Sequence, residues 1–272
     1  LCWLDFHAAW PGMYLLPVGV VLSLASAGEL LAMFRRHVAL AQPSPWVVYG
    51  GVLLTVLAAG VPGYAPGAAV AGPLGRLGWL AVGLTLAVLL AFVGELLRYE
   101  APGPSTVRLA LSLLAISYIG GLIGFLVQLR LLPDSAGMVS LVTLIATVKM
   151  SDSGQYFVGR AWGRHKLAPR VSPGKTWEGV AGGALFAIVG AWLAFWLSGH
   201  AASPLAIVTY ALAIAAAGIL GDLAESLLKR DAGVKDSSTW MPGFGGVLDM
   251  LDSLLAAAPI AYLFWAMGGL NV

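Results

Sequence analysis

Residues 204–228 read PLAIVTYALAIAAAGILGDLAESLL, and the fold turns on how this stretch is solvated. Up to Gly221 it is a nearly unbroken apolar run. A helix crossing a bilayer needs about 20 mostly apolar residues, and this stretch meets that length. Acids enter before the apolar run ends. Asp222 and Glu225 are spaced i, i+3, and Glu225 and Lys229 i, i+4, so one helical face carries Asp222, Glu225, Ser226 and Lys229. An ionisable group near the centre of a spanning helix costs about 2.5–3.5 kcal/mol on insertion scales. Several on one face need partners, an ion or a water-filled cavity. The plainer alternative is a helix end that emerges into water. Asp222 weighs against it, because it lies a helical turn or more inside the apolar boundary.

The rest of the chain repeats this pattern. Of 272 residues, 59% are hydrophobic and only 10% charged, and the mean hydropathy is +0.87. An ordinary soluble domain carries about 25% charged residues, so lipid is the solvent for much of this surface. Apolar stretches at 12–34, 46–65, 77–97, 107–130, 136–151, 179–198, 204–228 and 247–268 predict an all-α integral membrane protein, a polytopic bundle of about eight transmembrane helices. The breaks are chemically sensible: Gln42-Pro43-Ser44-Pro45, then Pro62, Pro66 and Pro73 with their glycines, then Ala101-Pro102-Gly103-Pro104, then Pro133-Asp134. No linker divides the chain, so 1–272 reads as a single membrane domain, with N-terminal helices over 1–135 and catalytic helices and cytoplasmic loops over 136–272.

Charge sets the expected orientation. With the N-terminus outside, Arg35, Arg36, Arg98, Arg108, Lys149, Arg160, Arg164, Lys166, Arg170, Lys175, Lys229, Arg230 and Lys235 fall on the cytoplasmic side, and only Arg76 and Arg130 fall opposite. The positive-inside rule favours this arrangement and an even number of spans. It puts both long polar segments, 152–178 and 229–246, on the cytoplasmic face. Cys2 is the only cysteine, so no intrachain disulfide forms, and the four scattered histidines show no zinc-ligand spacing. The chain begins at Leu1, and its first apolar segment is too long for a cleaved signal peptide.

Segment 152–178 runs from Asp152-Ser153-Gly154 through Arg164-His165-Lys166 to Ser172-Pro173-Gly174-Lys175-Thr176-Trp177-Glu178. Basic groups, hydroxyls and glycine-flanked N–H groups of this kind can surround a polyphosphate, with Lys as a point charge and Arg as a bidentate fork. A basic loop that meets anionic lipid headgroups has the same composition, and both readings stay open. Gly174-Lys175-Thr176 is not a P-loop, because the upstream glycine spacing is absent. The last span begins with Gly245 and Gly246 ahead of Asp249 and Asp252, again spaced i, i+3. Glycines at a helix start allow close approach of an anion, and the acids themselves also suit the helix dipole. Acids on two helices suit Mg²⁺, which binds through one or two carboxylates plus substrate phosphates.

These residues resemble phosphatidate cytidylyltransferases, also called CDP-diacylglycerol synthases. That family's signature runs S-x-x-K-R-x(4)-K-D, then Pro-Gly-His-Gly-Gly, then D-R-x-D. Ser226, Lys229, Arg230, Lys235 and Asp236 match the first part, Pro242, Gly243, Gly245 and Gly246 the second, and Asp249, Asp252 and Ser253 the third. Asp152-Ser153-Gly154, Lys166-Leu167-Ala168-Pro169 and Lys175-Thr176-Trp177-Glu178-Gly179 are similar to the family upstream, so the likeness covers roughly 145–260. Two positions depart: Phe244 stands for the histidine and Met250 for the second arginine.

The resemblance implies transfer of a cytidylyl group from CTP to phosphatidate, giving CDP-diacylglycerol and pyrophosphate for phospholipid synthesis. It implies Mg²⁺, with a second cation also compatible, on Asp222 and Asp249, with Asp252 and Glu225 as further candidates. Lys175, Lys229, Arg230 and Lys235 would contact phosphates, Asp152, Ser172 and Thr176 would position the nucleotide, and Gly245 and Gly246 would admit the substrate. The expected partners are CTP, phosphatidate and membrane lipids, without nucleic acid. A homodimer is compatible, and the expected location is a bacterial inner membrane with the site facing the cytoplasm. A CTP-dependent lipid kinase or a related cytidylyltransferase would use a similar set of groups. A weakened homologue that binds lipid without turnover would fit Phe244 and Met250. A transporter fits less well, because the acids crowd into one half of the chain.

Overall fold

Seven helices are long and apolar enough to cross a bilayer, counted among the residues that this computed structural model describes: 5, 11–37, 41–65, 67, 74–133, 135–238, 245–268 and 270. The protein is an all-α polytopic membrane protein. Cys2, His7, Pro66, Pro73, Asp134 and the Pro242-Gly243-Phe244 stretch lie outside the described residues. The elements run α1 (Leu15–His37), α2 (Pro45–Tyr64), α3 (Gly75–Leu97), α4 (Ser105–Ala115), a π-helical segment (Ile116–Gly121), α5 (Leu122–Arg130), α6 (Ala136–Trp162), β1 (Lys166–Ala168), β2 (Ser172–Thr176), α7 (Trp177–Ser198), α8 (Pro204–Asp231) and α9 (Val247–Ala266).

Two differences from the sequence expectation have plain causes. The apolar stretch at 136–151 is only the first part of α6, which continues as helix to Trp162. Lys149 and Asp152 interrupt its apolar character, so α6 is not among the seven long apolar helices, and the polar segment after it is shorter than expected. The remainder of that segment is a two-stranded antiparallel hairpin, with Lys166 opposite Thr176 and Ala168 opposite Ser172. Strands of three and five residues carry too little alternation to be read from sequence.

The chain forms two compact units, Leu1–Leu131 with Asp231–Met250, and Leu132–Arg230 with Leu251–Val272. In the first, α2 packs against α1, α3, the π-helical segment and α5. Val48, Val52, Val56 and Ala59 recur every three or four residues and bury one stripe of α2. Gln128 on α5, fully buried, donates its amide to the Ala59 carbonyl at 2.8 Å. At the amino end, Asp5 is closed off from water and paired with Arg130 at 2.6 Å. Its carboxylate also accepts the N–H groups of Gly12, Tyr14 and Leu15, which start α1. Burial pushes the Asp5 carboxyl up, but the N–H groups of Tyr14 and Leu15 and the Arg130 guanidinium outweigh it and hold it below its ordinary value of 3.8.

A carboxyl lowered in the fold stabilises it fully above the unfolded value, and that contribution fades as pH falls through the folded value. Arg130→Met strands a buried carboxylate and should cost about 3–5 kcal/mol. Denaturant unfolding in detergent at neutral pH measures the loss, and the variant should also unfold at a higher pH than the parent on acid titration. A loss below about 1 kcal/mol would mean that the pair behaves as a solvated one.

In the second unit, α6 and α7 pack along most of their length. Gly179, Gly182, Gly183 and Gly190 line the face of α7 that meets Gln155, Val158, Ser151 and Met150 of α6, so the two backbones come close. Thr176 ends β2 and caps α7, its hydroxyl accepting from the Gly179 N–H at 3.1 Å. Ser203 caps α8 in the same way through the Ala206 N–H. Later in α8, Gly221 faces the backbone of α9. A side chain there would overlap the Asp252 carbonyl oxygen and sit 2.7 Å from the Ala256 Cβ. The absence of a Cβ lets these two acid-bearing helices touch.

Candidate active site

The β-hairpin aims Lys175 at α8. Its Nζ lies 2.6 Å from Asp222 Oδ2, and its side chain is only 14% exposed. Ser226, one turn further along α8, donates to the other oxygen of Asp222 at 3.3 Å. Asp252, buried on α9, lies near enough to feel the negative charges of Asp222 and Asp152 and the positive charge of Lys229. Asp152, on α6, sits 3.5 Å from both Lys149 Nζ and Ser253 Oγ. Carboxylates from α6, α8 and α9 thus gather with lysines from β2 and α8. Glu225 is fully buried and holds Lys229 at 2.5 Å. Among the described residues, no three His, Cys, Asp or Glu side chains converge closely enough to hold a metal ion by themselves.

The other sequence candidates are distributed around this cluster. Ser172 is half-buried in β2, and Thr176 is spent on capping α7. Arg230 donates to the Val171 carbonyl at 3.2 Å and so ties the hairpin turn to the end of α8. Lys235, Gly245, Gly246 and Asp249 belong to the first unit. Lys235 is exposed there. Asp249 Oδ2 accepts the Gly246 N–H at 2.7 Å, the Ser237 N–H at 2.8 Å and the Ser237 hydroxyl at 2.6 Å. Gly245 has a φ of +81°, a conformation that glycine adopts without strain. Met250 is exposed.

Sequence reasoning assigned Asp152 to nucleotide positioning and did not foresee its place among the acids, since the linking contacts run across about a hundred residues of chain. It also missed a cavity of about 420 Å³ in the second unit. Leu167 of β1, Trp177, Val180 and Ala184 of α7, and Ile219 and Leu223 of α8 line it. Trp177 and Leu223 lie two and one positions along the chain from Lys175 and Asp222, so an apolar hollow borders the charged cluster. Glu29 was missed as well, although it left a signal as the lone acid of the first apolar stretch.

The fold and this cluster define a class: a polytopic helical membrane protein in which lysines and acids meet beside an apolar cavity. The match of a family model narrows it. The model described as the Cytidylyltransferase family matches residues 3–267, and the chain belongs to that family. Among curated proteins, the chain is similar to one from Haemophilus influenzae named phosphatidate cytidylyltransferase, 46% identical over 47% of this chain and 46% of that protein. Proteins of the same name from Pseudomonas aeruginosa and Bacillus subtilis are 43% and 40% identical over 53% and 57% of both partners. The chain spans about half the length of the curated relatives it matches.

Proposed function

We propose that this protein transfers the cytidylyl group of CTP to phosphatidate. The observation that carries the reading is the cluster of Asp222, Asp252 and Asp152 with Lys175 and Lys229, bordered by an apolar cavity. Family membership and the names of the relatives support the same reading. A phosphate oxygen of phosphatidate attacks the α-phosphorus of CTP. An O–P bond forms, the bond from the α-phosphorus to the bridging oxygen breaks, and pyrophosphate leaves. The attacking phosphate is already largely ionised at neutral pH, so no strong base is needed. The difficulty is to bring two polyanions together, and the lysines answer it. Lys175 and Lys229 would neutralise phosphate charge in a site poor in water, where such contacts count most. Arg230 and Lys235 are proposed as further phosphate contacts. The acyl chains of phosphatidate would occupy the apolar cavity, which leaves the headgroup beside Lys175.

The donor set suits a divalent cation bound through few protein ligands. Asp222 and Asp252 would hold Mg²⁺, with Asp152 nearby, and substrate phosphate and water would complete the coordination. Mg²⁺ would supply charge neutralisation on the triphosphate and would favour in-line attack. Asp249 is proposed to act from the amino end of α9. The site is proposed to face the cytoplasm of a bacterial inner membrane, as the positive-inside count favours.

The test is direct. The purified protein in detergent is given CTP, phosphatidate and Mg²⁺, and CDP-diacylglycerol and pyrophosphate are measured, with EDTA as one control and glycerol 3-phosphate in place of phosphatidate as another. Product that needs both metal and lipid supports the reading. A folded sample that binds CTP without forming product would point to a lipid-binding homologue instead.

A further inference from the structure

The first unit holds a carboxylate that the motifs do not include. Glu29 is the only acid in α1. Its two oxygens accept the N–H groups of Val247 at 3.0 Å and Leu248 at 2.9 Å. These belong to the first turn of α9, whose N–H groups have no partner within the helix. A carboxylate there is favoured by the helix dipole as well. Glu29 Oε2 also accepts the Ser237 hydroxyl at 2.8 Å, and the same hydroxyl lies 2.6 Å from Asp249 Oδ2. One serine therefore links the two carboxylates. Gly246 fills the remaining space, since a Cβ on it would overlap both Ser237 Oγ and a Glu29 oxygen. A charged group within a membrane helix is costly, and this one is satisfied entirely by the start of another helix and the loop before it.

We propose that Glu29 is a positioning residue for the transfer reaction: it fixes the first turn of α9 and, through Ser237, the orientation of the Asp249 carboxylate. The inference rests on the function proposed above, but its structural half can be read without activity. Glutamine in place of Glu29 keeps the size and loses one acceptor, so it cannot receive both backbone N–H groups. Aspartate keeps both acceptors on a shorter arm.

The experiment compares full-length wild type, Glu29→Gln, Glu29→Asp and Ser237→Ala. It reads hydrogen exchange by mass spectrometry over 245–252, and kcat and KM for CTP. In Glu29→Gln the expected result is exchange over 245–252 at least tenfold faster, with α1 unchanged, and kcat down about 10- to 100-fold with KM for CTP within threefold. Glu29→Asp should recover part of both losses, and Ser237→Ala should lower kcat with a smaller change in exchange. Unchanged exchange over 245–252 in Glu29→Gln overturns the proposal whatever the activity does. Faster exchange with unaltered kcat overturns its catalytic half. If Glu29→Gln does not fold, an unchanged kcat in both Glu29→Asp and Ser237→Ala overturns it equally. A wild type without turnover counts against the proposed reaction, and the exchange data still decide whether Glu29 holds α9.

Discussion

Lys175→Met should lower kcat for CDP-diacylglycerol formation by about 100- to 1,000-fold while the protein stays folded. The size follows from the location. The Lys175 ammonium is largely withdrawn from water and lies 2.6 Å from Asp222, with Asp252 and Asp152 nearby. A cation there acts on phosphate charge in a medium that screens poorly. Methionine keeps the length of the arm and removes the charge, so packing of the hairpin is spared. Asp222→Asn should cost at least as much, and extra Mg²⁺ should restore part of the rate if the lost charge serves the metal. Because the two groups act as a unit, the double variant should be little worse than the worse single one. Steady-state assays of the three variants measure this. A Lys175→Met enzyme within threefold of wild type would reduce the ion pair to a structural tie between β2 and α8.

Gly221→Val should abolish turnover to below about 1% of wild type, through distance alone. The substituted position touches no substrate in the proposed mechanism. Its side chain would overlap the Asp252 carbonyl and press on Ala256, so α8 and α9 must separate locally. That separation moves Asp222 away from Asp252, and a shift of about 1 Å in such a site costs about 100-fold. Overpacking should also lower stability by about 1–3 kcal/mol. Gly218→Ala is the matching control: a Cβ there sits 3.6 Å from the Ser253 Cβ, in ordinary contact, and should be tolerated. Activity and denaturant midpoints of the two variants, taken together, check the argument. Equal activity in both would mean that the two helices can part without disturbing the acids.

Much of this was legible in the sequence, because lipid imposes a simple pattern. The apolar stretches at 46–65, 77–97 and 204–228 became α2, α3 and α8 with small shifts at their ends. The shared helical face of Asp222, Glu225, Ser226 and Lys229 was legible for the same reason, being local. The pairings within it were not. Lys229 turned to Glu225 and Lys175 to Asp222, a division of partners that depends on the hairpin and on depth. Asp152 and Glu29 illustrate the limit more sharply. Each is an acid in or beside an apolar stretch, which marks it as unusual, but their partners lie 101 and more than 200 positions away. Periodicity gives a residue its face and not its distant neighbour. The hairpin escaped because short strands buried beside a membrane helix have no pattern of their own.

The π-helical segment at Ile116–Gly121 gives the fourth span a particular tolerance to length. A π turn accommodates one residue more than the α turn it replaces. Removing one residue between 116 and 121 would restore a continuous α-helix and rotate everything after it by about 100° relative to what precedes. Gln128 would then turn away from the Ala59 carbonyl, and Arg130 from Asp5. The helical phase of this span is therefore set by a single surplus residue, and a deletion that leaves every side chain intact would misdirect the two polar anchors that follow it.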